Sequence, residues 1–273
     1  MEIAGKVFVV TGGGNGIGRA VVLDLLARGA GVAAVDVSEA ALAETAALAG
    51  NAGLFSTHVV DLADRDAVEA LPEAVIAAHG QVDGVLNVAG IIQRFVPVND
   101  LSYEEVEKVM AVNYWGVVHM CKAFLPHLLE RPAASIVNVG SMGGLSPVPG
   151  QSVYGASKAA VKLFTEGLYA ELLDTPVAVT VVFPGAIATN ISANSGVGAK
   201  RDPEAGDTKM RMTTAQDAAS QLVAAVEKGS YRATIGSDAR MIDLLSRLMP
   251  RRTTEMVTKK MGAMLQSMAP AKV

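Results

Sequence analysis

A single cysteine, Cys121, stands in 273 residues. That excludes a disulfide framework within the chain and a cysteine-built zinc site. Set in an apolar helical stretch, it reads as an inert core thiol and fits a reducing compartment. No run of 18 or more apolar residues occurs, and Met1–Lys6 holds no basic stretch followed by a signal-type apolar segment. The chain is therefore expected to be soluble and cytoplasmic. Positive charge is not in excess either: the net charge is −4, which gives no reason to expect nucleic-acid binding. The four histidines, His58, His79, His119 and His127, lack a helical partner or a ligand-type carboxylate cluster, so no metal site is expected. His79-Gly80 reads instead as a helix C-terminus, where a cation suits the dipole. No Pro/Ser-rich linker and no repeat divides the chain.

What is present is apolar and regularly patterned. Hydrophobic residues make up 51% of the chain, enough for one large core. Short β-branched runs at Lys6–Val10, Val32–Val35, Gly84–Val88, Ser135–Val139 and Val177–Phe183 read as strands buried on both faces, with Leu54–Val59 and Tyr231–Gly236 as further strands. Helical patterns alternate with them at Ile17–Arg28, Glu39–Ala49, Arg65–His79, Tyr103–Leu129 and Val153–Leu173. The alternation predicts an α/β fold: a doubly wound parallel sheet of Rossmann type in a single domain, with a C-terminal helical extension. Dinucleotides bind such sheets at the carboxyl ends of the strands.

Thr11-Gly12-Gly13-Gly14-Asn15-Gly16-Ile17-Gly18 follows the first strand and opens the first helix. Gly12 permits a tight turn, Gly16 a close backbone approach to a pyrophosphate, and Gly18 close packing of helix on sheet. The helix start offers N–H groups and a positive dipole end. Asp36 ends the second strand and can accept both adenosine ribose hydroxyls while repelling a 2′-phosphate. Neither Asn15 nor Val37 supplies a cation for that phosphate, so NAD(H) is the expected cofactor rather than NADP(H). Ser38 is the better candidate for capping the next helix.

Tyr154-Gly155-Ala156-Ser157-Lys158 sets a phenol and an ammonium one helical turn apart on the same face. A phenol titrates near ~10; a nearby cation favours the phenolate and makes it a usable base or acid. Read singly, Ser141 is a capping serine, Tyr154 a buried aromatic, Lys158 a solvated lysine and Asn113 any polar helix position. Their order and spacing point instead to a proton-transfer site beside a nucleotide, and so to hydride chemistry.

These residues together resemble the short-chain dehydrogenase/reductase family. The T-G-x-x-x-G-I-G turn is similar to that family's, Asn87-Val88-Ala89-Gly90 resembles its N-N-A-G with valine in second place, and Pro184-Gly185 with Thr189 resembles its P-G motif beside the nicotinamide. The likeness covers residues 5–190. It implies that Asn113, Ser141, Tyr154 and Lys158 are catalytic. Lys158 would also hold the nicotinamide ribose, and Asn113 would shape a helix kink with a water on the path from Lys158 to solvent. Asp61 and Leu62 would meet the adenine ring and Thr189 the carboxamide. The implied cofactor set is Gly12, Asn15, Gly16, Ile17, Gly18, Asp36, Asp61, Leu62, Asn87, Ala89, Gly90, Tyr154, Lys158, Pro184, Gly185, Ile187 and Thr189. The family commonly forms homotetramers through two long helices, here 103–129 and 153–173.

The expected activity is NAD-dependent interconversion of a hydrophobic secondary alcohol and its ketone. Met142, Leu145, Pro147, Val148 and Ile187 are apolar candidates for the pocket, and Gln93 and Gln151 can add hydrogen bonds. An irregular stretch, a substrate loop at about 190–213, follows a strand end. Residues 1–239 are read as the catalytic domain and 240–273 as an amphipathic helical extension. That tail holds seven basic and two acidic residues, and six of the twelve methionines lie in 241–268. Met241, Leu244, Leu245 and Leu248 form one helical stripe; Val257, Met261, Met264, Leu265 and Met268 form another. Such faces are adaptable. They suit packing on the body or on another subunit, a cover over a greasy substrate, or contact with an anionic membrane, the last least favoured.

Overall fold

Residues 1–50, 54–197 and 212–268 are described in a computed structural model, with side chains to residue 261. Seven strands form one parallel sheet: β1 (Val7–Thr11), β2 (Gly31–Asp36), β3 (Phe55–Val59), β4 (Gly84–Asn87), β5 (Ala134–Val139), β6 (Val177–Pro184) and β7 (Arg232–Ile235), in the order β3-β2-β1-β4-β5-β6-β7. The strands are apolar throughout because both faces are covered. Phe8 and Val10 of β1 join one core with Val21, Leu25, Leu222 and Val226; Val9 between them joins the other with Val75, Phe124, Leu128 and Val161. Helices α1 (Gly16–Ala27) and α8 (Ala215–Lys228) cover the first face. Helices α3 (Arg65–His79), α5 (Gly116–Leu129) and α6 (Ser152–Glu171) cover the second. Helix α2 (Glu39–Ala49) follows β2, as its pattern predicts. Strand order reverses between β1 and β4, which opens a crevice at their carboxyl ends.

The long helix expected over 103–129 is not continuous. Helix α4 (Tyr103–Met110) passes through a π turn, Ala111–Trp115, into α5. A π turn inserts one extra residue per turn, and such turns gather at functional sites. Asn113 sits in it, fully buried.

At the opposite end of the sheet, the Asp83 carboxylate is fully buried. It accepts from Val7 N at 2.9 Å and pairs with Arg131 at 2.9 Å, fixing the starts of β1, β4 and β5 to one another.

At the β3 edge, Ser56 Oγ lies 2.8 Å from Nε2 of His58 and 2.8 Å from Nε2 of His79. Gly80 ends α3 in the left-handed conformation, as its sequence predicts. The expected cation at His79 is not supported: burial lowers its pKa, and burial followed by the charge of His79 lowers that of His58. The fold therefore favours the neutral form of both imidazoles, whereas unfolded they titrate near ~6.5. The unfolded state binds more protons, so stability rises with pH through this window. The contribution is complete above the unfolded value and is lost as pH falls through the lowered folded ones. The thermal midpoint is expected to fall between pH 7.5 and pH 5.5, and His79→Gln should flatten that slope; an unchanged slope would discard the pair as its cause.

The tail forms α9 (Ser237–Leu248) and α10 (Pro250–Met268). The proposed stripe on α9 is not its packing face. Ala239 and Ile242 are buried, while Met241, Leu244 and Leu248 are exposed. The reason is Arg232: it pairs with Glu166 of α6 at 3.2 Å and with Asp243 of α9, and its guanidinium lies 4.2 Å from the Phe183 ring centroid. That ion pair turns the Asp243 side of α9 inward. Of the second stripe, Val257 and Met261 are half-buried, and the side chains of Met264, Leu265 and Met268 lie outside the described residues. Among the described residues, no helix is long and apolar enough to cross a membrane, and no group of three potential ligands could hold a metal ion.

Candidate active site

The Gly-rich turn is built from β1 outward. Gly13 N donates to Val35 O at 3.0 Å, and Gly14 N donates to Asp36 Oδ2 at 3.0 Å. The other carboxylate oxygen of Asp36 accepts from Ser38 N at 3.0 Å, while Ser38 itself caps α2 through Ala41 N. Asp36 is thus locked at the end of β2 with one lone pair of each oxygen still open. A side chain on Gly18 would place its Cβ 2.1 Å from Gly12 O, so the turn closes only over a bare α-carbon. The Asn15 side chain makes no cap bond and no acid stands in the first turn of α1, which leaves the helix start open to an anion. Thr189 Cγ2 lies 3.4 Å from the position a Gly16 side chain would take, so the turn after β6 meets the turn after β1. An open helix start between bare glycines, with a carboxylate one strand over, fits a dinucleotide.

Two residues that fasten this turn, Arg19 and Thr45, carry no motif and escape a reading of the sequence. Arg19 Nε donates to Gly14 O at 2.8 Å and its Nη2 pairs with Glu44 at 2.7 Å. Buried Thr45 donates to Gly13 O at 2.9 Å. Both fasten the turn to α2. Thr11 Oγ1 accepts from Val88 N at 3.0 Å and Ala89 N at 3.1 Å, tying the ends of β1 and β4. Only the backbone of Val88 is used there, so valine in that motif disturbs nothing. After β6, Ala186 N donates to Asp238 at 2.7 Å, while Ala188 N and Thr213 O pair at 2.9 Å. The start of α9 therefore holds the segment Gly185–Ile187.

Two expected cofactor residues are placed elsewhere. Asn87 is 1% exposed, and its amide donates to Asn138 Oδ1 at 2.8 Å and to Cys121 Sγ at 3.6 Å. Its side chain belongs to the core between β4 and α5, not to the crevice. Leu62 is buried against Gly116, while Asp61 is exposed and accepts from Ala63 N at 2.9 Å. Cys121 is inert as expected: burial pushes its thiol up to about 12.

Ser141, Tyr154, Lys158 and Asn113 come together at the ends of β4 and β5. Ser141 Oγ accepts from Gly143 N at 3.0 Å, and its hydroxyl hydrogen-bonds the Tyr154 phenol. Lys158 is 3% exposed, and its ammonium donates to Val139 O at 2.9 Å. Asn113 accepts from Ile91 N at 2.8 Å and donates to Ile91 O at 2.9 Å and Ser157 Oγ at 3.0 Å. A Cβ on Gly90 would lie 3.0 Å from Lys158 Nζ and 3.4 Å from Asn113 Oδ1. Glycine there is what allows the lysine, the asparagine and the end of β4 to meet.

The electrostatics differ from the sequence expectation in one respect. Burial raises the Tyr154 pKa, and only the Ser141 hydroxyl opposes it. Lys158 does not depress it: burial pulls the ammonium itself down to about 8, and the Val139 carbonyl holds it. Desolvation disfavours the charged form of each group. At neutral pH the raised pKa favours the protonated phenol, a form that can donate.

The pocket candidates separate. Met142 is half-buried in the turn after Ser141. Leu145 instead lines a groove of about 700 Å³ between α6, β7 and α9, together with Lys162, Leu163 and Arg232. Gln93 and Gln151 are 2% and 3% exposed. Gln93 uses both amide atoms on the protein, and Gln151 keeps a single buried free acceptor, Oε1. Helix α7 (Ile191–Asn194) begins the expected substrate loop, and Ser195 after it accepts from Ile92 N at 3.0 Å. Residues 198–211 of that loop lie outside the described residues.

The family model described as short chain dehydrogenase matches residues 6–199. A Mycobacterium tuberculosis protein named as an oxidoreductase, SadH, is 40% identical over 252 residues, covering 90% of this chain and 91% of its own. A Burkholderia phymatum short-chain dehydrogenase/reductase solved with NAD superposes with a TM-score of 0.81 at 28% identity, covering 90% of this chain and 94% of its own. A Burkholderia cenocepacia short-chain dehydrogenase solved with NADP gives 0.78 at 27% identity, covering 94% and 99%.

Proposed function

The chain is an oxidoreductase that belongs to the short-chain dehydrogenase family, and from that premise we propose that it uses NAD(H) to interconvert a hydrophobic secondary alcohol and its ketone. The observation that carries this reading is the Tyr154 phenol, protonated and hydrogen-bonded to Ser141, on the same helix face as buried Lys158. Bound along the Gly-rich turn, Asp36 and Thr189, the dinucleotide supplies the hydride acceptor or donor.

The chain's own residues move the proton. In the reductive direction Tyr154 donates to the oxygen of the carbonyl; in the oxidative direction it takes the hydroxyl proton. Ser141 Oγ accepts from Gly143 N, which leaves its hydrogen as the donor facing Tyr154; a substrate oxygen beside the phenol can take over that hydrogen, which then stabilises charge developing there. Lys158 and Asn113 approach each other over the bare α-carbon of Gly90, which fits the expected path from Lys158 to solvent. Met142 and Ile187 supply apolar wall.

Asp36 and Val37 favour NAD(H). Arg19, which reaches the turn at Gly14 O, is paired with Glu44 rather than left free to offset a 2′-phosphate beside the carboxylate. Solved relatives hold either dinucleotide. We place residues 1–239 as the catalytic domain and 240–273 as an appended helical extension, in a cytoplasmic enzyme. A homotetramer is supported by Tyr103, Trp115, Leu129 and Leu163, large apolar side chains left exposed on α4 to α6.

The test is a cofactor-reduction screen over secondary alcohols, including steroids, cyclic alcohols and hydroxyacyl thioesters, with NAD⁺ and NADP⁺ in parallel. A like-charge contact costs several kcal/mol, so kcat/KM with NAD⁺ should exceed that with NADP⁺ on the order of 100-fold. Equal use of both would overturn the assignment to Asp36; no turnover of any secondary alcohol would overturn the substrate class.

A further inference from the structure

Helix α6 carries Tyr154 in its first turn, yet the helix has no local cap. The N-cap residue Gln151 makes no side-chain cap bond. The first N–H groups of a helix need an acceptor from outside it. For Tyr154 N that acceptor is Gln93 Oε1, at 2.9 Å and 61 residues away in sequence. The other end of the same amide, Nε2, donates to Gly150 O at 3.2 Å, and the backbone oxygen of Gln93 accepts from Gln151 Nε2 at 2.8 Å. The amide orientation is dictated by its partners: reversed, it would set an NH₂ against the Tyr154 N–H and an oxygen against the Gly150 oxygen.

Gln93 is the last of three consecutive residues after β4 that each hold a different wall of the site. Ile91 exchanges two hydrogen bonds with Asn113 of the π turn, Ile92 N holds Ser195 after α7, and Gln93 holds the start of α6. The position of the Tyr154 backbone relative to Ser141 is thus set from the end of β4. Gln93 is 2% exposed, so water has no room to replace the lost bonds if the amide is removed.

We propose that Gln93 is a positioning residue for Tyr154, its buried amide serving as the cap that α6 lacks and fixing where the phenol stands against Ser141. The proposal rests on Tyr154 being the proton donor of the reaction. It assigns Gln93 no contact with substrate.

Gln93→Met keeps the length of the side chain and removes both polar atoms; Gln93→Glu restores the acceptor for Tyr154 N alone. A displacement of about 1 Å at a reacting group costs roughly 100-fold, so kcat of Gln93→Met should fall about 10- to 100-fold, with KM for NADH within about twofold of wild type. Gln93→Glu should recover part of that loss. The Tyr154 titration, followed by NMR of Cζ-labelled tyrosine and assigned with Tyr154→Phe, needs no substrate and should be displaced in Gln93→Met. A merely structural glutamine would lower the thermal midpoint and leave kcat of the folded enzyme and the phenol titration unchanged; that result overturns the proposal, as does a Gln93→Glu variant no better than Gln93→Met. If Gln93→Met does not fold, Gln93→Asn, one methylene too short to reach both partners, takes its place with the same expected loss. Tyr154→Phe run alongside separates the two readings: an active Tyr154→Phe sinks the proton donor, whereas an inactive one beside a fully active Gln93 variant sinks only this inference.

Discussion

Tyr154→Phe is expected to lower kcat by about 10²- to 10⁴-fold, the usual contribution of a positioned proton donor, while NADH affinity and the thermal midpoint stay near wild type. The substitution keeps the ring and its packing and removes one oxygen. The backbone bond from Tyr154 N to Gln93 is retained, so the helix start does not move. What is lost is the hydroxyl partnered with Ser141. The pH dependence follows with its sign. Burial holds the phenol protonated beyond its ordinary range, so the donor form persists across neutral pH and the reductive rate should be flat there. The oxidative direction requires the ionised form, a small fraction below the raised pKa, and its rate should climb about tenfold per pH unit toward alkaline pH. Oxidative rates independent of pH, or a Tyr154→Phe enzyme with full kcat, would remove Tyr154 from the proton transfer.

The parts of the site legible in the sequence are those whose signal is local. The glycines of the first turn, Asp36 at the end of β2 and the Tyr154–Lys158 spacing were picked out by residue type and short separations along the chain, although several of their bonds, such as Gly14 N to Asp36, are long-range. Gln93, Arg19, Thr45 and Asp238 are different. Their partners Tyr154, Glu44, Gly13 and Ala186 stand 61, 25, 32 and 52 residues away, and no pattern along the chain announces such a bond before the sheet order brings the two ends together. Asn87 shows a subtler failure. Its resemblance to the first asparagine of N-N-A-G suggested the crevice, but residues alternate across a strand. Asn87 therefore shares the face of Val85, toward α5 and Cys121. That parity was masked because both faces of β4 are apolar. The apolar pattern of 103–129 runs straight through the π turn, so only the resemblance pointed to a kink at Asn113; the two bonds between Asn113 and Ile91 show why the extra residue is accommodated.

Gly18→Ala is the second large effect. The added methyl has no rotamer to choose, because a Cβ position is fixed by the backbone. It would stand 2.1 Å from Gly12 O and 2.5 Å from Gly12 C, more than an ångström inside ordinary contact, and neither atom belongs to a flexible side chain. Relief requires either α1 or the turn to move. Helix α1 is anchored on the first core by Val21, Val22 and Leu25, all fully buried. The turn is held by Gly13 N on Val35 O, by Gly14 N on Asp36 and by Thr45. Overpacking a site of this kind costs about 1–3 kcal/mol and more where backbone must shift. If the turn yields, the N–H groups aimed at the pyrophosphate go with it, and NADH affinity should fall by about 100-fold, equivalent to ~2.7 kcal/mol. If the helix yields instead, the cost appears as stability, with a thermal midpoint lower by roughly 5 °C. Calorimetric titration with NADH and a melting curve on the same preparation read both routes. Wild-type affinity together with a wild-type melting curve would mean that the turn is not closed over a bare α-carbon at Gly18.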